Sequence, residues 1–438
     1  MEPIRISGDP HAPRFHLFDS SAGAHILVIP YSRIFGIESE FAAALRKGDA
    51  SAIREVEFLV DAVDGEVLLD LLPETTPQSI SLNVSTSCNL GCGYCYAGGG
   101  NFGGKQSSSM SWEVARAAVD HLLSLANPAA PVTIGFIGGE PFLNRRLINR
   151  VVNYAAASGV RRGLMVRFSV TTNGTILNNE DFAMVRAYPF AVTVSIDGGR
   201  AVQDAQRPTH SGRSSFTAIQ RAIAPLLESP GRAKVAARAT VVRTDLNIDS
   251  RFNDILGLGF HEVGFSPVRS AAGGSAALDG TDWAGYLDAM IALADRQIAG
   301  LRFGQPLRLT NLAVALKQLH RGFSMPYPCG AGGGYFSVGA DGTWYACHRA
   351  IGQDSYALGD NGGLDKTRRT AFLRARHVHA QAECRSCWAR YLCSGGCHQE
   401  ASARSDSSCG FIRGWLDYCL KIYSELVQSQ PDWFDYGN

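Results

Sequence analysis

The chain has 438 residues, of which 41 are Lys or Arg and 40 are Asp or Glu. This length exceeds what one hydrophobic core usually serves, so it predicts two or three domains. The balanced charge gives no broad positive field, which argues against nucleic acid or an anionic membrane as a partner. Residues 1–10 are polar, and no apolar stretch is long enough to span a bilayer. We therefore expect a cytoplasmic protein.

The first predicted domain, residues 1–78, is a small α+β unit. Residues 15–18 and 25–30 form two apolar runs around a turn at residues 20–23, which predicts a hairpin. Helical patterns follow at residues 38–46 and 51–61. A link rich in Pro and Thr, residues 73–78, separates this unit from the rest of the chain.

Six β-rich runs alternate with helical segments in the second predicted domain, residues 79–310. The runs are residues 79–84, 132–137, 166–171, 191–196, 235–242 and 263–268. One helical pattern covers residues 111–126, with Ser109 or Ser111 as its N-cap. Strands that alternate with helices imply a parallel sheet with right-handed crossovers. Six such units predict an α/β fold, a partial (β/α)6 TIM-like barrel.

Four polar or glycine-rich turns follow successive predicted strands. They are a cysteine-rich loop, Gly138-Gly139-Glu140-Pro141, Asn173-Gly174 and Asp197-Gly198. In barrels of this type the chemistry lies at the C-terminal ends of the strands. We therefore expect the four turns to converge on one mouth.

The third predicted domain, residues 311–438, is rich in cysteine. A short hairpin at residues 335–338 and 343–346 turns at Asp341-Gly342. A cysteine-dense segment, residues 384–409, follows it with little regular structure evident. The chain has eleven cysteines. In a reducing compartment such a number favours metal binding or catalysis over disulfides.

Three cysteines share the loop after the first barrel strand: Cys88, Cys92 and Cys95. Three thiolates hold three irons of a cubane cluster and leave the fourth iron open, whereas a fourth thiolate would close the cluster. A zinc site, which favours pairs two residues apart, fits Cys92 and Cys95 but not Cys88. Unrelated buried thiols are the other alternative.

The run from Cys88 to Tyr96, with Tyr94 before the third cysteine, resembles the cluster motif of the radical S-adenosylmethionine (SAM) enzymes. The resemblance implies a [4Fe-4S] cluster whose open iron binds SAM, with Cys88, Cys92 and Cys95 as its catalytic ligands and Tyr94 on the cofactor side. It also implies that one-electron cleavage of SAM yields a 5′-deoxyadenosyl radical, which removes hydrogen from an unactivated carbon.

Gly138, Gly139 and Glu140 match the turn that receives the SAM amino group in these enzymes. Glycines let backbone carbonyls approach a ligand, and Glu140 supplies an anionic acceptor for an ammonium. The alternative is an ordinary tight strand-to-helix turn.

Further SAM contacts are implied near the later strands. Ser195 and Asp197 resemble the motif beside the SAM ribose and carboxylate. Arg207 and Arg238 are candidates for the SAM carboxylate, since arginine pairs with one bidentately. Surface ion pairs are the alternative for both arginines. Asn173 either contacts SAM or occupies a left-handed turn, and the turn is our preferred interpretation.

Seven C-terminal cysteines resemble the SPASM domain, which holds two auxiliary [4Fe-4S] clusters and brings the expected total to three. By resemblance, one auxiliary cluster is closed by Cys384, Cys387, Cys393 and Cys409, and the other is held by Cys329, Cys347 and Cys397. Whether the second keeps an open iron is left undecided, and a zinc ribbon is the alternative for the whole set. Cys419 is the alternative to Cys409, or a buried thiol on an amphipathic helix.

The segments Tyr345–Arg349 and Cys387–His398, with Cys95-Tyr96-Ala97 followed by Phe102-Gly103-Gly104, resemble SPASM maturases that build thioether links in peptides. These include the SCIFF maturases and the quinohemoprotein amine dehydrogenase maturase. The implied substrate is a Cys-containing precursor peptide or small protein subunit, and the implied reductant is a flavodoxin or ferredoxin. The alternatives are C–C crosslinking, epimerisation, decarboxylation or formylglycine formation, and a non-catalytic iron–sulfur scaffold.

Residues 1–78 resemble the peptide-recognition element of many peptide maturases, which pairs a leader peptide against a sheet edge. A stabilising cap on the barrel is the alternative.

One departure concerns the anaerobic sulfatase maturases, which carry a catalytic Asp beside an auxiliary-cluster cysteine. Here His348 follows Cys347, which argues against formylglycine formation. His348 and His398 either tune a cluster by hydrogen bonding or pack as ordinary polar residues.

Overall fold

The computed structural model describes residues 6–62, 72, 75–102, 104, 109–269 and 276–435. The strands are β1 (Phe15–Ser20), β2 (Gly23–Val28), β3 (Arg33–Ile37), β4 (Ser79–Ser85), β5 (Val132–Gly138), β6 (Val166–Thr172), β7 (Phe190–Ser195), β8 (Lys234–Val241), β9 (Val263–Pro267), β10 (Tyr335–Val338), β11 (Trp344–Tyr345), β12 (Ala357–Asp360) and β13 (Gly363–Leu364). Two parts of the sequence predictions, residues 73–74 of the Pro/Thr-rich link and Gly103, lie outside the described residues.

The α-helices alternate with the strands of the barrel and then dominate the C-terminal part. They are α1 (Ser39–Arg46), α2 (Ala50–Ala62), α3 (Trp112–Leu125), α4 (Arg145–Arg161), α5 (Asn179–Ala187), α6 (Arg200–Gln206), α7 (Ser215–Glu228), α8 (Ile248–Leu256), α9 (Asp282–Arg302), α10 (Thr310–Arg321), α11 (Lys366–Arg376), α12 (Ala382–Arg385), α13 (Arg390–Cys393), α14 (Asp406–Ser429) and α15 (Asp432–Asp435). Ser111 is the N-cap of α3, where its hydroxyl accepts a 3.2 Å hydrogen bond from the Val114 amide.

The chain packs into two compact units, and both are discontinuous in sequence. Unit 1 comprises Met1–Leu72, Gly280–Cys329 and Arg374–Asn438, and unit 2 comprises Pro73–Asp279 and Gly330–Leu373. The hairpin predicted for the Cys-rich domain therefore belongs to the unit that contains the barrel strands. The three-domain division drawn from the sequence stays a prediction.

Unit 2 is built on one ten-stranded sheet with the order β13-β12-β11-β10-β4-β5-β6-β7-β8-β9. Strands β4 to β9 pair in parallel, which confirms the six predicted barrel strands and the α/β fold. The hairpin β10–β11 is confirmed too, but the sequence did not predict that β10 would pair in parallel with β4. This pairing extends the barrel sheet into the C-terminal part of the chain.

The two faces of the barrel sheet differ in polarity. Phe136, Phe168 and Phe190 stack on one face with centroids 5.3–6.4 Å apart and are buried. The opposite face is small and polar where Ser81 pairs with Gly135, and Gly135 with Ser169. A Cβ on Gly135 would lie 2.9 Å from both serine hydroxyls, so the strands approach closely there. The barrel sheet therefore has one apolar face and, where these three residues pair, one face that is small and polar.

Unit 1 contains the predicted N-terminal hairpin, β1–β2, and a third strand, β3, that the sequence patterns missed. Its core includes Ile26, Val28, Leu45 and Val56, so α1 and α2 pack on the small sheet. Helix α14 packs against α9, α10 and β1. No helix among the described residues combines the length and apolar character needed to cross a membrane. The cytoplasmic location stays a prediction.

Candidate cluster and cofactor site

Hydrogen bonds join the turns that follow β4, β5 and β6, as expected for the C-terminal ends of parallel strands. The Asn173 amide donates to Glu140 Oε2 at 2.7 Å, and its Nδ2 lies 3.7 Å from Cys88 Sγ. Tyr94, in the cysteine loop, donates through its hydroxyl to Asp197 after β7. The four turns therefore meet at one edge of the sheet, as predicted.

The three thiols of the loop are free, half-buried and close to one another. Burial raises the pKa of Cys88, and the charges of Glu140 and Cys95 add to the rise. Burial raises the pKa of Cys92 to about 11, and the charges of Cys95 and Cys88 add to it. Such thiols ionise when a metal takes the place of the proton. The donor set therefore fits a cubane cluster with one thiolate on each of three irons.

Among the described residues, no three His, Cys, Asp or Glu side chains are placed to bind a single metal ion. A cubane cluster makes a different demand, because each iron takes its own thiolate and the ligands surround a volume. The three-cysteine loop is consistent with that arrangement.

Gly138 and Gly139 lie so close to the cysteine loop that no side chain fits at either position. A Cβ on Gly138 would lie 2.3 Å from the Ser85 carbonyl oxygen, and one on Gly139 would lie 2.4 Å from that of Ser87. The Gly139 amide donates to Ser85, and the Glu140 amide donates to Ser87 at 2.9 Å. The two glycines therefore clamp the turn after β5 onto the start of the cysteine loop.

Glu140 is fully buried, and both of its carboxylate oxygens accept hydrogen bonds from the protein. Oε1 accepts from the Thr172 hydroxyl at 2.7 Å and the Phe142 amide at 3.1 Å, and Oε2 accepts from the Asn173 amide. Burial raises the pKa of this carboxyl to about 7. In this structure Glu140 ties β5 to β6, and its contact with the SAM ammonium stays a prediction.

Asp197 and Arg207 form a buried ion pair. Arg207 donates from Nε and Nη2 to the two carboxylate oxygens at 3.0 and 3.2 Å, and the Thr240 amide donates to Oδ1 at 2.7 Å. The Arg207 guanidinium also lies 5.3 Å from the centre of the Tyr94 ring. The two residues predicted to contact SAM thus contact each other, and through Tyr94 they hold the cysteine loop.

Ser195 and Arg238 lie beside this pair, at matched positions on β7 and β8. Arg238 is exposed, and its Nε donates to the Ser266 hydroxyl at 2.9 Å. The structure places both residues near the predicted cofactor edge. Their contacts with SAM stay predictions.

Sequence reasoning missed Arg251, which is 1% exposed. Its guanidinium donates to the carbonyls of Asp197, Asp245 and Thr240 and so braces the ends of β7 and β8. A buried arginine on a helix leaves no local pattern, so only the tertiary contacts reveal it.

Asn89 was also missed, although it lies between two of the predicted iron ligands. It accepts from Asn173 Nδ2 and donates to the Thr175 hydroxyl, both at 2.8 Å. Asn173 Oδ1 in turn accepts from Thr175. This closed ring locks the cysteine loop onto the turn after β6. In that turn the left-handed backbone belongs to Gly174, with φ 73°, and not to Asn173.

Four C-terminal thiols lie together in unit 1. The pKa of Cys393 is raised to about 11, first by burial and then by the charges of Cys384, Cys387 and Cys409. Cys419 is fully buried on α14, and burial alone accounts for the rise in its pKa. The placement supports Cys409 over Cys419 as the fourth thiol.

Of the other three predicted ligands, Cys329 and Cys397 belong to unit 1 and Cys347 to unit 2.

The two histidines beside cluster cysteines have specific partners. His348 Nδ1 lies 2.8 Å from the Tyr335 hydroxyl, which donates to Ser81 at 3.0 Å. His398 Nδ1 accepts from Arg376 Nε at 3.2 Å. Burial lowers the pKa of both histidines to about 4. Both imidazoles are therefore neutral at pH 7.

Residues 82–245 match the family model of the radical SAM superfamily. The chain contains a radical SAM domain. The matched range holds all four turns at the sheet edge, and the domain implies a [4Fe-4S] cluster.

Some relatives match this chain well beyond the radical SAM domain. The serine-type anaerobic sulfatase-maturating enzyme of Klebsiella aerogenes is 24% identical over 375 residues, which are 80% of this chain and 87% of the relative. The mycofactocin maturase of Mycobacterium ulcerans is 27% identical over 339 residues, 73% of this chain and 83% of the relative. An uncharacterized protein of Methanocaldococcus jannaschii is 34% identical over 138 residues, which are 32% of this chain and only 44% of that relative.

Two solved structures share the fold. Native anSMEcpe with bound AdoMet has a TM-score of 0.68 and 18% identity, covering 80% of this chain and 100% of that one. Streptococcus suis SuiB bound to precursor peptide SuiA has a TM-score of 0.52 and 12% identity, covering 90% of this chain and 97% of that one.

Proposed function

We propose that this radical SAM enzyme is a peptide maturase that installs a thioether between a cysteine sulfur and a side-chain carbon of a ribosomally made peptide or small protein subunit. The observation that carries the proposal is the convergence of the three-thiol loop, the glycine turn and the Asp197–Arg207 pair on one edge of the sheet. Two relatives that align with most of this chain are named as maturating enzymes, and one neighbour by fold holds a precursor peptide.

Each group at the edge has a distinct task in this proposal. Cys88, Cys92 and Cys95 hold three irons, and the backbone at Gly138 and Gly139 lies beside them, free of side chains. Ser195 and Arg238 orient SAM, while the Asp197–Arg207 pair keeps the loop in place through Tyr94. When bound, the reduced cluster and SAM together supply a 5′-deoxyadenosyl radical that removes hydrogen from the peptide. A flavodoxin or ferredoxin is the proposed electron donor.

The thioether product is supported by the residues around Cys347. The Tyr96 ring, directly after Cys95, lies edge-on to the His348 ring with centroids 6.1 Å apart. The Arg349 guanidinium lies 5.3 Å from the centre of the Tyr96 ring. The segment after Cys347 therefore packs against the segment after Cys95. An auxiliary iron held in part by Cys347 would place a substrate thiolate near the radical.

The test is anaerobic reconstitution with iron and sulfide, followed by incubation with SAM, dithionite and a synthetic cysteine-containing precursor encoded beside the gene. We expect 5′-deoxyadenosine and a peptide about two mass units lighter that resists thiol alkylation, because forming one C–S bond removes two hydrogens. A precursor with its cysteines changed to alanine and the Cys92→Ala enzyme are the controls.

Each other outcome points to a different conclusion. Deoxyadenosine with an alkylatable peptide about two mass units lighter would replace the thioether by a C–C crosslink or by formylglycine made from serine, of which only formylglycine reacts with a carbonyl reagent. Deoxyadenosine with an unchanged peptide mass would indicate epimerisation. A fully loaded, reduced protein that cleaves no SAM in the presence of the precursor would contradict the maturase proposal.

A further inference from the structure

Arg404 donates a hydrogen bond to one of the four clustered thiols of unit 1. Its Nη1 lies 3.2 Å from Cys384 Sγ, and its Nη2 donates to Gln381 Oε1 at 2.7 Å and to the Gly395 carbonyl. The side chain is only 15% exposed. Three anchors therefore hold the planar guanidinium in one orientation against the sulfur.

The charge of Arg404 acts on more than one thiol. Burial raises the pKa values of Cys384, Cys393 and Cys409, and the Arg404 cation opposes the rise in all three. Glu383 acts in the opposite direction on Cys384 and Cys409, and its Oε2 lies 4.0 Å from Arg404 Nη1. Its side chain is 77% exposed, so solvent screens this charge. The net field of the neighbouring side chains at this group is therefore positive.

Helix α14 adds to that field. Cys409 lies in the first turn of this 24-residue helix, whose start is capped by Ser405. The N-terminus of a helix carries a partial positive charge and favours a thiolate. Arg413, one turn further along α14, also opposes the rise in the Cys409 pKa.

The three-cysteine loop of unit 2 has a different environment. Glu140 and Asp197, the acidic groups beside it, are fully buried. Arg207, a cation that opposes the rise in the Cys92 pKa, is paired with Asp197. Charge and hydrogen bonds to the sulfurs set the reduction potential of an iron–sulfur cluster, so the two thiol groups are expected to differ.

We propose that Arg404 raises the reduction potential of the auxiliary cluster at Cys384, Cys387, Cys393 and Cys409. Arg404 is thus a tuning residue that stabilises the reduced, more negative form of the cluster by one hydrogen bond and a full charge. This inference rests on the auxiliary cluster of the proposed function, but it requires no particular peptide or product.

The test compares Arg404→Met, Arg404→Lys and the parent in a full-length background in which Cys88, Cys92 and Cys95 are alanine. Only the C-terminal clusters then contribute to a redox titration followed by electron paramagnetic resonance. We expect one midpoint potential to become more negative in Arg404→Met. In Arg404→Lys it should move less, because lysine keeps the positive charge but lacks the planar guanidinium that donates several hydrogen bonds at once. Arg302→Met is the matched control, since Arg302 is a half-exposed arginine of the same unit that pairs with Glu425.

Iron content decides how each result is interpreted. Unchanged midpoints in a fully loaded Arg404→Met protein would overturn the proposal. If Arg404→Met loses iron, the midpoint potential of Arg404→Lys is the test of the proposal. A midpoint more negative than that of the parent supports the tuning role, and an unchanged midpoint overturns it. A background protein without iron at the four thiols would also overturn it. The titration uses no peptide, so a failure to modify peptides would leave the midpoint shift in place.

Discussion

At the scale of single residues, several polar side chains that the sequence suggested as cofactor contacts form hydrogen bonds or ion pairs with other residues of the protein. Asp197 pairs with Arg207. Glu140 accepts three hydrogen bonds, one each from the end of β6, the turn after β6 and the turn after β5. Sequence identifies such residues by type and position, but their partners come from other turns. The structure therefore shows a positioning role for them, and their contact with SAM stays a prediction.

The buried carboxyl of Glu140 predicts a specific pH dependence of stability. Its pKa is raised from 4.5 to about 7 by burial, so the folded state holds the proton more tightly than the unfolded state. The contribution of this group to the free energy of unfolding is largest below pH 4.5 and falls by about 3 kcal/mol as the pH rises to 7. Urea unfolding of the cluster-free protein between pH 4.5 and 8 measures it.

The Glu140→Gln variant should lack that component, so the difference between its stability and that of the parent should change with pH in this window. Changing Glu228, an exposed acid on α7, to Gln is the control. Parallel stability curves for parent and Glu140→Gln would show that the carboxyl stays ionised when buried.

At the scale of elements, the glycine turn after β5 depends on contact with the cysteine loop. Gly139→Ala would place a Cβ 2.4 Å from the Ser87 carbonyl oxygen and 2.9 Å from Cys88 Cβ. Because the clash is mostly with backbone, we expect a loss of about 3 kcal/mol in unfolding free energy and poor iron loading. Denaturant unfolding and iron content measure the two effects.

Gly93 offers a control in the same loop, because nothing lies within 4 Å of the Cβ that Gly93→Ala would add. That variant should unfold like the parent. Equal stability of Gly139→Ala and Gly93→Ala would mean that the turn can move away from the loop at little cost.

At the scale of the whole molecule, the two groups of cysteines belong to separate packing units: Cys88, Cys92 and Cys95 to unit 2, and the four clustered C-terminal thiols to unit 1. Since the ligand sets do not overlap, each cluster should load without the other. With the three [4Fe-4S] clusters that we propose, changing the three loop cysteines to alanine should remove about a third of the iron, four irons of twelve.

Changing Cys384 and Cys393 to alanine should remove a similar share while leaving SAM-dependent spectral changes at the loop cluster. Iron analysis and electron paramagnetic resonance with and without SAM measure both predictions. Loss of all iron in either variant would show that the clusters assemble cooperatively.

Sequence by itself determined the three-thiol loop, the six parallel strands and the hairpin β10–β11. These features depend on short-range patterns: cysteine spacing, alternation of strands with helices, and a turn at Asp341-Gly342. Local patterns predict local structure, because they reflect the preferences of neighbouring residues.

Only the tertiary structure decided which distant groups meet. The parallel pairing of β10 with β4, the ring of Asn89, Asn173 and Thr175, and the contact of Arg404 with Cys384 join residues far apart in the chain. Arg404 had no motif to mark it, and it is 20 residues from the thiol that it contacts. Such contacts depend on sheet register, which sets which strands and side chains are adjacent. They also depend on burial, because a buried charged group is stable only when it is paired or hydrogen-bonded.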